Sequence, residues 1–246
     1  MALKASPEDQ ALLLDLQALD TKLAQLDHRA KSLPELATLV ELSAHATALR
    51  LTASEQQGAV DNVALELSRL ESDVKVVEAR IARDSERLQA SSSVKDVAAL
   101  DQELLALRKR LGDLEEIELT VMERLEEVQS VLAHTTTELD DARAKVAEVE
   151  ASRDAALDVI AAERTTAAAG RRTIEGKVPA DLLALYEKQR ARYGTGASLL
   201  RGGVSLASGV KLLENEMQSI RASAPDDVIM CPSSEAILVR TDESGL

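Results

Sequence analysis

The stretch LDQELLALRKRLGDLEEIELTVMERLEEVQSVLAHTTTELDDARAKVAEV, residues 100–149, decides the fold. Leu100, Leu104, Leu107, Leu111, Leu114, Val121, Leu125, Val128, Leu132, Leu139, Ala142, Val146 and Val149 recur in steps of four and three, with Glu118 and Thr135 filling two of the same places. Seven residues per two turns is the period of a helix packing along a coiled-coil seam. The same period precedes it at Val60, Val63, Leu67, Leu70, Val74, Val77, Ile81, Asp84 and Leu88, and earlier still at Leu12, Leu16, Leu19, Leu23, Leu26, Ala30 and Leu33. Pro34 interrupts that first run, because proline removes a helix hydrogen bond and clashes with the preceding turn.

Between the two long seams lies QASSSVKD, residues 89–96, rich in small polar residues. Ser93 followed three residues later by Asp96 fits a helix-start capping box. The arms on either side, residues 9–89 and 95–175, are each about 80 residues, on the order of 120 Å of helix at 1.5 Å per residue. Equal arms joined by a short capped turn predict an antiparallel hairpin over 1–176 with its tip near 89–96. In that pairing Leu88 neighbours Val97, and Leu16 lies beside 167–169.

Composition agrees. The 246 residues include no Phe, no Trp and two Tyr, yet 45% are hydrophobic and 29% charged. Ala, Leu, Glu, Lys and Arg dominate, the profile of long helices rather than of large sheets or disulfide scaffolds. With 29 basic and 43 acidic residues the net charge is -14, which disfavours nucleic-acid binding through the overall field. One cysteine, Cys231, cannot form an internal disulfide. The start, MALKASPEDQ, lacks an apolar h-region, and no run of 18 apolar residues occurs, so a cytoplasmic, membrane-free protein is expected.

Residues 177–246 read differently. VPADLLALYEKQRARYG is a short helix with Pro179 near its first turn. Gly194, Gly196, Gly202, Gly203 and Gly209 predict turns, LLENEMQSIRA another short helix, and the β-prone runs 228–230 and 237–240 a hairpin around CPSSEA. The expected fold is therefore mainly α: a long antiparallel coiled-coil hairpin carrying a small C-terminal α+β module.

Enzymatic signatures are missing from this pattern. His28, His45 and His134 are far apart and off the seam. Glu115-Glu116 and Glu126-Glu127 are solvated seam flanks, and the glycines lack the Lys-Ser/Thr of a phosphate loop. No enzyme is expected. One local feature opposes the acidity: Arg164, Arg171, Arg172, Lys177, Lys188, Arg190, Arg192 and Arg201 form a basic belt facing Glu175, Asp181 and Glu187 only. It reads either as a phosphate- or RNA-facing patch or as a surface that pairs with acidic residues of the first arm or the tail. With Tyr186 and Tyr193 as the only stacking aromatics, the second is favoured.

The stretches DLQALDTKLAQLDHRAKSLPE, SSSVKDVAALDQEL, PADLLALYEK, GASLLRGG, IRASAPDDVIMC and ILVRTDESGL, spread in order along the chain, resemble the bacterial coiled-coil hairpin proteins with a C-terminal four-cysteine zinc ribbon, particularly their actinobacterial branch. The resemblance implies a helical hairpin with a small zinc ribbon. It also implies roles described as nucleic-acid binding or protein interaction, some tied to flagellar or secretion assembly and to sigma-factor binding. The positions matching the family's zinc ligands are Ser205, Ser208, Cys231 and Ser234, so three of four ligands are serine. One thiolate with three hydroxyls is a poor zinc donor set, and the expectation is a degenerate ribbon without zinc or other cofactor. The function expected is a non-enzymatic interaction protein, monomeric or homodimeric, that presents the hairpin and module to unknown protein partners. Its candidate contacts are the belt and the tip residues Ser92, Ser93 and Lys95. The alternative is a nucleic-acid-binding adaptor using the belt at 164–201.

Overall fold

The computed structural model describes residues 3–246. Five helices and three short strands follow in order: α1 Pro7–Lys31, α2 Pro34–Ala90, α3 Val94–Glu175, α4 Ala180–Tyr193, β1 Ala197–Arg201, β2 Val204–Ser205, α5 Glu214–Ala222 and β3 Ile237–Val239, closed by a 3-10 turn at Asp242–Ser244. The long helices form a coiled-coil hairpin, and the strands make one small sheet. Residues group into two compact units, Glu35–Ala151 on the one hand, and the chain up to Pro34 with Ser152–Leu246 on the other.

Within Glu35–Ala151 the heptad seams do what their period demands. Val60, Val63 and Val77 of α2 are buried with Leu100, Leu104, Leu107, Val121, Leu139 and Ala142 of α3. Two of the polar seam positions, Asp84 and Thr135, go inside too. Thr135 donates to the Val131 carbonyl at 3.2 Å, and Asp84 accepts from Arg87 at 3.2 Å. Ion pairs Arg80–Glu103 and Arg124–Glu66 join helices running in opposite directions. At the tip, the Ser93 carbonyl accepts from Val97 N at 3.0 Å, which starts α3. The reciprocal side-chain bonds of a capping box are absent among the described residues. Ser91 Oγ instead accepts from Ser93 N at 3.4 Å.

In the other unit, α1 ends where the proline predicts. Ser32 N donates to His28 O at 3.0 Å, and Pro34 opens α2, a first-turn place where its missing N–H is not needed. Against α3, the register is shifted from the simple mirror about the tip. A Cβ on Gly170 would meet Leu19 at 3.6 Å, and Ala168 shares a surface hollow with Leu23 rather than lying beside Leu16. Leu16 turns to another partner. With Leu13 it is fully buried against Val178, Leu182, Tyr186, Ala197, Ile237 and Val239, so α1 is a wall of the C-terminal module's core.

The sheet order is β2-β1-β3. β1 and β2 form an antiparallel pair around Gly202 and Gly203, both at positive φ, with Leu200 opposite Ser205. β3 joins β1 in parallel, Ala197 opposite Ile237 and Leu199 opposite Val239. The glycine-rich segment is therefore not all turn: ASLLR is a strand, because distant Ile237–Val239 supplies its ladder. The expected hairpin between 228–230 and 237–240 is reduced to one antiparallel bridge, Met230 to Ile237, with Leu238 N donating to Ile229 O at 2.7 Å. A second apolar cluster, Leu200, Leu212, Met217, Ile220, Cys231 and Leu238, fills the far side of the sheet. Among the described residues no helix is long and apolar enough to cross a membrane.

Candidate functional site

The basic belt divides into two populations. Arg164 Nε pairs with Asp27 of α1 at 3.0 Å, and Arg201 Nε with Glu243 at 3.1 Å. Arg171 and Arg190 converge on Asp20, whose side chain is only 4% exposed. Arg171 Nε donates to Asp20 Oδ1 at 2.7 Å and Arg190 Nη1 to the same oxygen at 3.2 Å. Glu187 bridges both guanidiniums, and Glu175 accepts from Arg171 at 2.9 Å. The other four residues differ. Among the described residues, Arg172, Lys177, Lys188 and Arg192 are exposed and make no ion pair. Arg172 reaches back to the Ala168 carbonyl, and Arg192 lies 5.1 Å over the Tyr193 ring.

Asp20 is the hub of a wider polar network. The Tyr186 hydroxyl donates to Asp20 Oδ2 at 2.7 Å and lies 3.3 Å from Gln17 Oε1. Gln17 Oε1 also accepts from Gly196 N at 2.8 Å, tying the start of β1 to α1. Burial first, then the hydrogen bond to Asp20, push the Tyr186 phenol above its ordinary range. Burial works against the Arg171 charge, but the hydrogen bonds to Asp20 and Glu187 outweigh it and hold the guanidinium pKa above its usual value. Both groups keep their neutral-pH forms, so the cluster can hold elements together but has no poised proton to transfer. The sequence reading missed Asp20 and Gln17. The signal available was Gln10, Leu13, Gln17 and Asp20, a second stripe at helical spacing beside the α1 seam.

The four positions that the resemblance matched to zinc ligands, Ser205, Ser208, Cys231 and Ser234, sit on two turns of the same build. Gly209 N donates to Ser205 O at 2.8 Å, and Glu235 N to Cys231 O at 2.9 Å. The residue closing each turn is left-handed, Gly209 at φ 68 and Glu235 at φ 56. Cys231 and Ser205 are fully buried. Burial alone would raise the Cys231 thiol, but the Ser205 and Ser234 hydroxyls and the backbone amides of Ser234 and Ser233 bring it down to about 7. Ser234 Oγ is itself buried and makes no hydrogen bond of good geometry. Ser208 turns aside, its Oγ accepting from Val210 N at 3.2 Å. A closed zinc site takes four thiolate or imidazole donors at about 2.0–2.3 Å. One thiol, two nearby hydroxyls and a diverted third do not fit that ion.

The tip residues Ser92, Ser93 and Lys95 are exposed. Beside them lies an open hollow of about 400 Å³ lined by Arg87, Ser91, Asp96, Leu100 and Glu103.

Relatives bear on the whole chain. The uncharacterized protein Rv2229c of Mycobacterium tuberculosis is 32% identical over 241 residues, covering 98% of both chains. A Mycobacterium smegmatis structure superposes with a TM-score of 0.86 at 33% identity, covering 97% of this chain and all of the other. CT398 from Chlamydia trachomatis shares the fold at a TM-score of 0.64 and 17% identity over 95% of this chain and 98% of its own. Residues 16–194 match the family model of the CT398-like coiled coil hairpin domain, and this chain belongs to that family.

Proposed function

We propose that this chain is a non-enzymatic interaction protein, in which the hairpin and a metal-free ribbon-like module present surfaces to protein partners. The observation that carries the reading is the fate of the belt's charge. Arg164, Arg171, Arg190 and Arg201 are spent on carboxylates of the same chain, so their field is neutralised internally. The hollows on the surface are open, such as the groove of about 690 Å³ along α1 beside Leu199 and Leu206. Such a groove does not enclose a small substrate and exclude water, as ligand pockets do. The module's core is filled by apolar side chains and by α1, which supports folding without a metal.

A second reading rests on a specific observation. Among the described residues, Arg172, Lys177, Lys188 and Arg192 stay exposed and without an ion pair, so a nucleic-acid adaptor function would depend on these four. Affinity capture with the full chain separates the two readings. The expected result is nuclease-resistant capture of protein and no steep salt dependence of RNA or DNA binding. Capture abolished by nuclease, with an affinity that falls steeply with salt and is lost in a Lys177→Glu/Lys188→Glu variant, would replace the first reading by the second.

A further inference from the structure

The face of α2 turned away from the hairpin seam carries an apolar stripe left largely exposed by the described residues. Val40, Leu51, Leu65 and Val76 are 72%, 55%, 51% and 68% exposed. They are spaced eleven, fourteen and eleven residues apart. Those intervals are about three, four and three helical turns, so all four project from one side. The seam residues Val60, Val63, Leu67, Leu70, Val74 and Val77 lie about half a turn away. Between the four, the same outer face presents Ala44, Thr47, Ser54, Asn62, Arg69 and Ser72. One charge among those positions is sparse for a solvated helix face in a chain that is 29% charged.

The stripe is also palindromic. Gly58 lies on the same face, seven residues from both Leu51 and Leu65 and eighteen from both Val40 and Val76. Glycine is a poor helix former, and a Cβ at Gly58 would meet nothing within 4 Å, so no contact among the described residues requires it. A palindrome is what a two-fold interface demands, since residue i must meet j while j meets i. If two α2 helices cross antiparallel at Gly58, Val40 meets Val76 of the other copy and Leu51 meets Leu65, and the glycines let the backbones approach where they cross.

We infer that the outer face of α2 is a self-recognition surface, and that its occupant is a second copy of this chain docked antiparallel across a two-fold axis at Gly58. The stripe spans about 54 Å of helix at 1.5 Å per residue. A contact strip of that length buries roughly 1,000 Å² in total, at the low end for specific association, so the dimer is concentration-dependent rather than obligate. A related spacing, Leu105, Gly112 and Leu119, occurs on α3, but its next symmetric pair would set Val94 against Ser130. The α2 face is the complete one. This inference is independent of which partner the module binds.

Sedimentation of the full chain from about 1 to about 200 µM tests it, because mass action must drive the dimer. The expected result is a shift from 26.4 kDa toward twice that mass. Leu51→Glu with Leu65→Glu should weaken association at least about tenfold while leaving the helical melt unchanged. Cross-linking reads the geometry even if those variants fold poorly. In a Cys231→Ser background, Gly58→Cys should oxidise to a dimer, since a disulfide needs Cα atoms within about 7 Å. Leu51→Cys should cross-link when mixed with Leu65→Cys but not with itself. A monomer throughout the concentration range, self-linking of Leu51→Cys, or cross-linking through Gly112→Cys in place of Gly58→Cys would each overturn the inference.

Discussion

Removing the Asp20 carboxylate tests the physics of the hairpin base most directly. In Asp20→Ala the Arg171 guanidinium, its side chain 15% exposed, loses its 2.7 Å partner, and the Tyr186 hydroxyl loses its acceptor at 2.7 Å. Breaking a buried ion pair from one side costs about 3–5 kcal/mol, because the surviving charge stays desolvated. Arg171 keeps Glu175 and Glu187, and Arg190, 38% exposed, can turn to water. The loss should therefore fall near the lower bound, about 3 kcal/mol. Tyr186→Phe alone should cost about 1.5 kcal/mol, the value of one hydrogen bond to a charged acceptor. The double variant should cost less than the sum, because both changes remove the same bond. The chain has no Trp, and its two tyrosines, Tyr186 and Tyr193, both lie in α4, so tyrosine fluorescence in urea follows this unit without interference from Glu35–Ala151. Replacing the pair together, Asp20→Leu with Arg171→Met, should recover most of the loss. A cost below about 1 kcal/mol for Asp20→Ala would mean the carboxylate is hydrated, and the account of the network would fail.

Three further outcomes are expected. A Cβ at Gly196 would come within 2.5 Å of the Tyr186 ring and 2.8 Å of its carbonyl, so Gly196→Ala should destabilise the base by about 2–3 kcal/mol and alter the near-UV tyrosine signal. An unchanged melt would refute the close packing. The Cys231 thiol is lowered from about 9 to about 7, so its contribution is fully present above the unfolded pKa and is lost as pH falls through about 7. Stability of the base should rise from pH 7 to 9 by on the order of 1–2 kcal/mol, and Cys231→Ala should flatten that slope. Chelator should leave the melt of the natural chain unchanged, whereas Ser205→Cys, Ser208→Cys and Ser234→Cys together should create stoichiometric zinc binding measurable by elemental analysis, because both turns keep their build. Stoichiometric zinc in the natural chain would contradict the donor argument.

The sequence alone determined the helical hairpin. Heptad spacing in α2 and α3 is local information, readable within a few turns, and so are the break at Pro34 and the polar tip at Ser91–Ser93. The resemblance implied, residue by residue, which side chains stand at the family's zinc-ligand positions: Ser205, Ser208, Cys231 and Ser234. Tertiary structure alone decided what those helices hold. Leu13 and Leu16 look like ordinary seam residues until Ile237 and Val239, more than two hundred residues later, close over them. Asp20 reads as one more exposed acid until Arg171, Arg190 and Tyr186 fold onto it. ASLLR is too short to announce a strand, and its parallel ladder to β3 exists only once the chain has returned. Period and propensity act between neighbours along a helix, whereas burial and charge pairing depend on which distant segments meet.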